Sequence, residues 1–355
     1  MRVVSVVGAR PQFIKAAVVS RAIRARHEEI LVHTGQHYDD NMSGVFFEEL
    51  RLPEPERHLG VGSGPHGRQT GQMLERLEIV LVEARPDVVL IYGDTNSTLA
   101  GALAAAKLGV PLAHVEAGLR SFDRRMPEEV NRLVADHLSE WLFCPTETAR
   151  RNLEREGVSH GLIVGDVMLD LLLESVRRLP APEPGLAAHG VTPGSYYLAT
   201  IHRAGNTDDA ARLRAIVEGL RALDRPTILP LHPRTRAALD GLGLLPLTNA
   251  GLLRLVEPLG YLDMLQLERH AAAIVTDSGG VQKEAYFLGV PCVTVRDETE
   301  WIETTEDGWN VLVGADQVEL AEAVRRPRPS VPPQPHFGRG DAARRIVEHL
   351  ENGKA

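Results

Sequence analysis

The chain has 355 residues, a formal charge of -9 at pH 7 and an apolar fraction of 43%. That length exceeds what one hydrophobic core usually supports, and the negative balance argues against a nucleic-acid surface, whose phosphates need a basic field. No apolar run approaches a membrane-spanning length, so the expectation is a soluble two-domain enzyme without membrane insertion.

In chain order, Met1-Arg2 leads directly into VVSVVG, too short for a signal-peptide core, which points to a cytoplasmic protein. RVVSVVG reads as the first strand, and the turn Gly8-Ala9-Arg10-Pro11 opens a helix carrying Lys15, with Pro11 suited to the first helical turn. EILVHTG, VVLIYGD, LAHVEAG, EWLFCPT and GLIVGD continue as strands, with helical patterns between them. LPAPEPGLAAHGVTPGS, dense in Pro and Gly, reads as a loop before a second sheet built from YYLATIH, TILPLH, LLRLVEPL, AAIVTD and CVTV. A Pro-rich stretch then precedes DAARRIVEHLEN, a final amphipathic helix. Cys144 and Cys292 lie in apolar strand-like runs and read as buried, reduced core residues.

One segment is written twice. VVLIYGD, Thr95-Asn96-Ser97-Thr98, a helical stretch and Leu108-Gly109-Val110-Pro111 precede LAHVEA; AAIVTD, Ser278-Gly279-Gly280, a helical stretch and Leu288-Gly289-Val290-Pro291 precede CVTV. Each copy reads as strand, small-residue turn, helix and parallel strand, the right-handed βαβ unit. The fold class is therefore α/β, with two doubly wound Rossmann-like domains facing a cleft. Ligands of such sheets lie outside the carboxyl ends of the strands, where Asp94, Glu116, Asp277 and Arg296 fall. We place the N-terminal domain at residues 1–167 plus a C-terminal helix at 341–355, and the C-terminal domain at 168–340.

Ser278-Gly279-Gly280 sits at a strand-to-helix junction, where unpaired backbone N–H groups and the helix dipole favour an anion. The first-strand turn holds the same position, with Arg10 and Lys15 nearby. Neither a dinucleotide fingerprint nor a P-loop occurs. Lysines are scarce, at 15, 107, 283 and 354; Lys15 is a candidate point charge for a pyrophosphate, whereas Lys283 reads as a surface lysine.

Asp94 and Glu116 end adjacent strands and should reach one rim of the first sheet. Glu128 and Glu129 begin a helix soon after, where one of the two supplies only a favourable first-turn charge. Asp94 has an alternative as the cap of the helix that follows it. His202-Arg203 and His232, with Arg234 beyond it, close two strands of the second sheet at equivalent edges, which marks His202 as functional. No His, Cys or acidic pattern suggests a metal, and no cofactor is implied.

GARPQFIKAA, TGQHYDDNMS, YGDTNSTLAGALAAAKLGVPLAHVEAGLRS, RRMPEEVNR, PTETARRNL, GDVMLD, ATIHRAGN, LHPRTR and DSGGVQKEAYFLGVP together resemble the non-hydrolysing UDP-N-acetylglucosamine 2-epimerases, in the family's order up to about residue 314. The resemblance implies the two-domain fold of B-type glycosyltransferases, a C-terminal helix returning to the first domain, a homodimer, and interconversion of UDP-GlcNAc and UDP-ManNAc without cofactor. It implies that Arg10, His202, Ser278, Gly279 and Gly280 bind the diphosphate and Glu284 the ribose hydroxyls. Lys15, Asp94, Glu116, Glu128 and Arg132 then surround the sugar, with Asp94, Glu116, Glu128 and His202 as the catalytic set and Glu129 as a first-turn charge whose amide would act mildly. VRDETEWIET, where many members read Arg-Asp-Thr-Thr-Glu-Arg-Pro, and Tyr38-Asp39-Asp40 resemble a branch that includes epimerases of UDP-linked diacetamido-uronic acids.

The substrate constrains the mechanism. The C2 hydrogen is too weakly acidic to leave an intact sugar, so C1–O cleavage comes first and UDP departs but stays bound, stabilised by preorganised donors. A glycal then regains a proton on the opposite face of C2, which calls for acid–base groups on two faces. The rivals are a B-type glycosyltransferase using the same UDP site and a non-catalytic nucleotide-sugar sensor. In some members UDP-GlcNAc also activates from a second pocket; Gln36, Arg203 and His232 resemble positions lining it, but Asp39 stands where a Gln is expected, so activation should be weak or absent.

Overall fold

The computed structural model describes residues 1–36, 49–245 and 251–353. The chain divides into two units, Met1–Glu174 with Pro335–Ala355, and Ser175–Gln334.

Among the described residues the first unit carries a seven-stranded parallel sheet: β1 (Arg2–Val7), β2 (Glu28–His33), β3 (Arg57–His58), β4 (Val88–Tyr92), β5 (Leu112–Val115), β6 (Trp141–Cys144) and β7 (Gly161–Ile163). The order β3-β2-β1-β4-β5-β6-β7 reverses direction between β1 and β4, the switch point at which such sheets bind ligands. β4 is VVLIY, buried along its whole length, because helices cover both faces of a parallel sheet. On one face Val4, Val6, Val89 and Ile91 meet Met73 and Leu77 of helix His66–Ala84 and the alanines of helix Asn96–Leu108.

The final helix, Ala342–Asn352, packs on helix Arg10–Arg24 of the same unit. Its strong two-sidedness explains why: Ala342, Ala343, Ile346, Val347 and Leu350 are buried at helical spacing. The Asp170 carboxylate accepts from Ala342 N (3.1 Å) and Ala343 N (2.8 Å), anchoring the helix start. Burial pushes that carboxyl up to about 6 despite these bonds.

The second unit repeats the plan with β8 (Tyr197–Thr200), β9 (Thr227–Pro230), β10 (Leu253–Val256), β11 (Ala273–Thr276), β12 (Cys292–Thr294) and β13 (Asn310–Leu312), all parallel in the order β10-β9-β8-β11-β12-β13. Its switch point lies between β8 and β11. Apolar clusters cover both faces, one around Leu213, Ile216 and Leu220, the other around Leu198, Ile274 and Ala285.

The written-twice segment therefore occupies the same place in each sheet, β4 to β5 and β11 to β12. Both helices end in the same way: Gly109 (φ 65) and Gly289 (φ 63) adopt the left-handed conformation. Val110 N and Val290 N then bond back to Ala105 O and Ala285 O, closing the two helix ends. Residues with a β-carbon pay strain at this φ, which is why both copies read Leu-Gly-Val-Pro.

The sequence reading missed β3 and β13, which are too short to show a period. Its long loop also contains a helix, Pro182–Ala188, with Pro182 in the first turn where a missing N–H costs nothing. Both cysteines are buried free thiols, and burial pushes Cys292 up to about 12. No helix among the described residues is long and apolar enough to cross a membrane.

Candidate active site

In the first unit the carboxyl ends of β4 and β5 carry Asp94 and Glu116. Asp94 is clasped by a guanidinium: Arg132 donates from Nε (3.0 Å) and Nη2 (2.6 Å), both to Oδ2. Asn131 Nδ2 donates to the Asp94 carbonyl at 2.9 Å. The cap of helix Asn96–Leu108 is Thr95, so the alternative of Asp94 as cap fails, and its Oδ1 has no protein partner among the described residues. The Asp94 side chain retains 26% of its exposure, so this oxygen can reach a ligand.

Glu116 pairs with Lys15 Nζ, both side chains buried. Gly93 packs against the pair: a Cβ there would stand 2.9 Å from Lys15 Nζ, and its φ of +61 also favours glycine. Glu116 itself sits at φ 73, a conformation a non-glycine residue holds only when its surroundings fix it. Those surroundings are the N–H groups of Glu116 and Ala117, both donating to Phe143 O at 3.1 Å.

A buried ionic network supports both turns. His114 lies between Asp136 Oδ1 (2.7 Å) and Gly93 O (2.7 Å), so it braces the turn that ends in Asp94. Asp136 Oδ2 accepts from Gly118 N (3.1 Å) and Arg120 Nη1 (2.7 Å), bracing the turn after Glu116. Arg120 is also bidentate to Glu156. Burial alone would push the Asp136 carboxyl up, but His114 and Arg120 outweigh it and hold it below the usual carboxylate range.

The two adjacent glutamates divide their labour differently from a shared first-turn role. Glu128 is exposed at the start of helix Pro127–Leu138. Glu129 is buried, and its carboxylate accepts from Ser121 N (2.9 Å), Phe122 N (3.0 Å), Ser121 Oγ (3.1 Å) and Arg132 Nη1 (2.8 Å). The mild effect expected of its amide is therefore corrected. Glu129→Gln should destabilise the first unit by about 2 kcal/mol, since buried hydrogen bonds to a charged acceptor are lost, and should lower turnover by loosening the Arg132 clasp on Asp94. Denaturant unfolding alongside turnover checks both.

The first-strand turn differs from the phosphate cradle expected of it. Gln12 Oε1 accepts from Gly8 N (2.8 Å) and Ala9 N (3.1 Å), while Gln12 Nε2 donates to Tyr92 O and Thr98 Oγ1. Those two backbone donors are spent on Gln12, so the turn offers an anion less of its backbone than the cradle expected there. Gln36 is likewise engaged: its Oε1 accepts from Ser97 N (3.0 Å) and Ser97 Oγ (2.7 Å). His37, Tyr38, Asp39 and Asp40 lie outside the described residues.

In the second unit the helix Gly279–Leu288 starts with its anion-binding groups available. Ser278 Oγ caps Val281 N at 3.5 Å, and Ser278 N donates to Thr276 Oγ1 at 2.9 Å. The N–H groups of Gly279 and Gly280, the first two of the helix, have no acceptor among the described residues. Glu284 is buried on the same helix. Lys283 is buried too, its Nζ 3.9 Å from the centroid of the Trp301 ring, which corrects its reading as a surface lysine.

Asp277 occupies the position equivalent to Asp94 and has the opposite character. It is fully buried and accepts from His202 N, Arg203 N and Asn206 Nδ2, each at 3.0 Å. It therefore builds the turn that presents His202, and is not itself a ligand-facing acid. The His202 and His232 rings lie 5.4 Å apart, and His232 Nδ1 caps helix Pro233–Gly241 by accepting from Arg234 N. Arg296 is also engaged, bidentate to Glu300 at 2.9 and 3.0 Å, with Arg203 Nη1 3.6 Å from the same carboxylate.

The sequence of residues 21–351 matches the family model for UDP-N-acetylglucosamine 2-epimerase. The chain is 50% identical to a UDP-N-acetylglucosamine 2-epimerase homolog of Methanococcus maripaludis, over 99% of this chain and 100% of that protein. It is 49% identical to the UDP-2,3-diacetamido-2,3-dideoxy-D-glucuronate 2-epimerase of Pseudomonas aeruginosa, over 99% of each. Among solved structures it is similar to Methanocaldococcus jannaschii UDP-GlcNAc 2-epimerase in complex with UDP-GlcNAc and UDP, with a TM-score of 0.92 and 44% identity over 99% of this chain and 100% of that one.

Proposed function

Since the chain belongs to the UDP-N-acetylglucosamine 2-epimerase family, we propose that it inverts C2 of UDP-GlcNAc to give UDP-ManNAc by eliminating and re-adding UDP, without hydrolysis. The observation that carries this reading is the pair of cation-clasped carboxylates, Asp94 and Glu116, at the ends of adjacent strands in the first unit. Each carboxylate is held in place by a neighbouring cation, which fixes its position against a substrate, as a general base or acid requires.

The order of events follows from the sugar. C1–O cleavage places positive charge beside C2 and makes its hydrogen acidic; a carboxylate then removes it to leave a glycal and bound UDP. Return of a proton to the other face and of UDP to C1 gives the epimer. Asp94, Glu116 and Glu128 are the acid–base candidates, with Arg132 holding the first and Lys15 the second. The Gly279 and Gly280 N–H groups, Ser278, His202 and Arg10 are the candidates for stabilising the departing diphosphate, and Glu284 for the ribose hydroxyls. No cofactor enters these steps.

A second reading has a specific basis: identity to the diacetamido-glucuronate epimerase is almost equal, 49% against 50%. It retains the chemistry and changes the sugar. Incubating the protein with UDP-GlcNAc in deuterated water and following by NMR should give deuterium at C2 of both epimers with little free UDP early. An inert UDP-GlcNAc beside a reactive UDP-diacetamido-uronate would select the second sugar. Release of UDP in step with free ManNAc, or only with an added acceptor, would remove the non-hydrolysing reading. A homodimer is proposed on the family alone, and a cytoplasmic location on the two buried, reduced cysteines.

A further inference from the structure

We propose that Phe122 is a specificity-determining residue whose ring packs against an apolar C–H face of the sugar in the UDP-sugar; this rests on the epimerase reading above. Phe122 is 70% exposed and sits at φ 59. A single exposed aromatic is ordinary on a protein surface. An exposed aromatic in the left-handed region is not, because a bulky side chain is strained there and nothing in the core rewards it.

The turn that imposes this conformation is heavily determined. Ser121 N and Phe122 N both donate to Glu129, Asp123 N donates to Ser121 Oγ, Arg125 N and its guanidinium bind Asp123, and Met126 N donates to Asp123 O. A turn of this shape needs only glycine or asparagine at position 122. The Phe side chain is thus an addition to the turn and not a requirement of it, and local strain maintained by over-determined surroundings is a mark of function.

The hydrogen-bond chain also places the backbone of Phe122 near the residues proposed to act at the sugar. Glu129 holds Phe122 N through Oε1 and Arg132 through Oε2, and Arg132 clasps Asp94. The backbone at Phe122 is therefore tied, through two side chains, to a carboxylate proposed to act at C2, which sets the residue that carries the exposed ring beside that part of the site. A pyranose carries its hydroxyls at the rim and C–H groups on its faces, and a rigid aromatic offers a flat apolar surface to such a face at small entropic cost.

The test separates packing on substrate from support of the fold. Phe122→Gly and Phe122→Asn should unfold about 2 °C higher than the parent or at the same temperature, because both tolerate the left-handed conformation. Both should raise KM for the UDP-sugar about 10-fold with kcat little changed, the pattern of lost ground-state and transition-state binding in common. The Kd for UDP alone should not move, and Phe122→Trp should preserve KM. An unchanged KM in the Gly and Asn variants, or a Kd for UDP that rises in parallel with KM, overturns the inference. Failure of the parent protein to place deuterium at C2 of either candidate sugar is a different result, and it removes the epimerase reading on which the inference stands.

Discussion

Asp94→Asn is expected to lower turnover by about 100-fold or more, the scale of a lost general acid or base, while UDP affinity and fold stability change little. The geometry makes this the cleanest of the carboxylate variants. Arg132 keeps Glu129 as a partner when Asp94 loses its charge, so no buried cation is stranded. An amide at position 94 preserves an oxygen for Arg132 and removes only the proton-accepting ability of the other. Glu116→Gln should match the loss of turnover but also destabilise the first unit, because Lys15 then remains buried against a neutral amide. Turnover, UDP calorimetry and denaturant melts on both variants distinguish the cases. Near-normal turnover in Asp94→Asn would remove it from the acid–base set.

The fold was legible because its repeated element has a strong local code. Leu-Gly-Val-Pro requires a left-handed residue between a helix and a buried strand, and both copies fold that way, at Gly109 and Gly289. What the repeat concealed is that its two aspartates differ. Asp94 receives a guanidinium from Arg132, later in the chain, and keeps an oxygen open; Asp277 is filled by the turn at His202 to Asn206, far earlier in the chain. Neither partner is near its aspartate in sequence, so local pattern could not separate the two.

Other contacts have local signals in the sequence. Glu129 and Arg132 are three residues apart on one helix face, the spacing at which side chains meet, while Glu128 points elsewhere and stays exposed. Gln12 at the third position of its helix is the residue type that reaches back to the helix start, and it does so at Gly8 and Ala9. Lys283 gave no such signal, since Trp301, which lies beneath its ammonium, comes from beyond the next strand.

Asp136→Asn should cost the first unit about 3 kcal/mol at pH 7, the largest loss of stability anticipated for a conservative change in this protein. The carboxylate is completely buried among His114, Arg120 and the Gly118 N–H, and an amide cannot accept from all three, leaving Arg120 with an uncompensated charge on that side. The penalty should also depend on pH. A carboxyl held below its ordinary value in the folded state contributes stability above the unfolded value of about 4, and that contribution fades as pH falls through the lower folded value. Parent and variant should therefore differ most near neutrality and converge in acid. Urea melts of both proteins at pH 7 and in strongly acidic buffer measure this; a gap that stays constant between the two would show that Asp136 acts through shape alone. Turnover should fall with stability, since His114 transmits the position of Asp136 to the Gly93 carbonyl, one residue before Asp94.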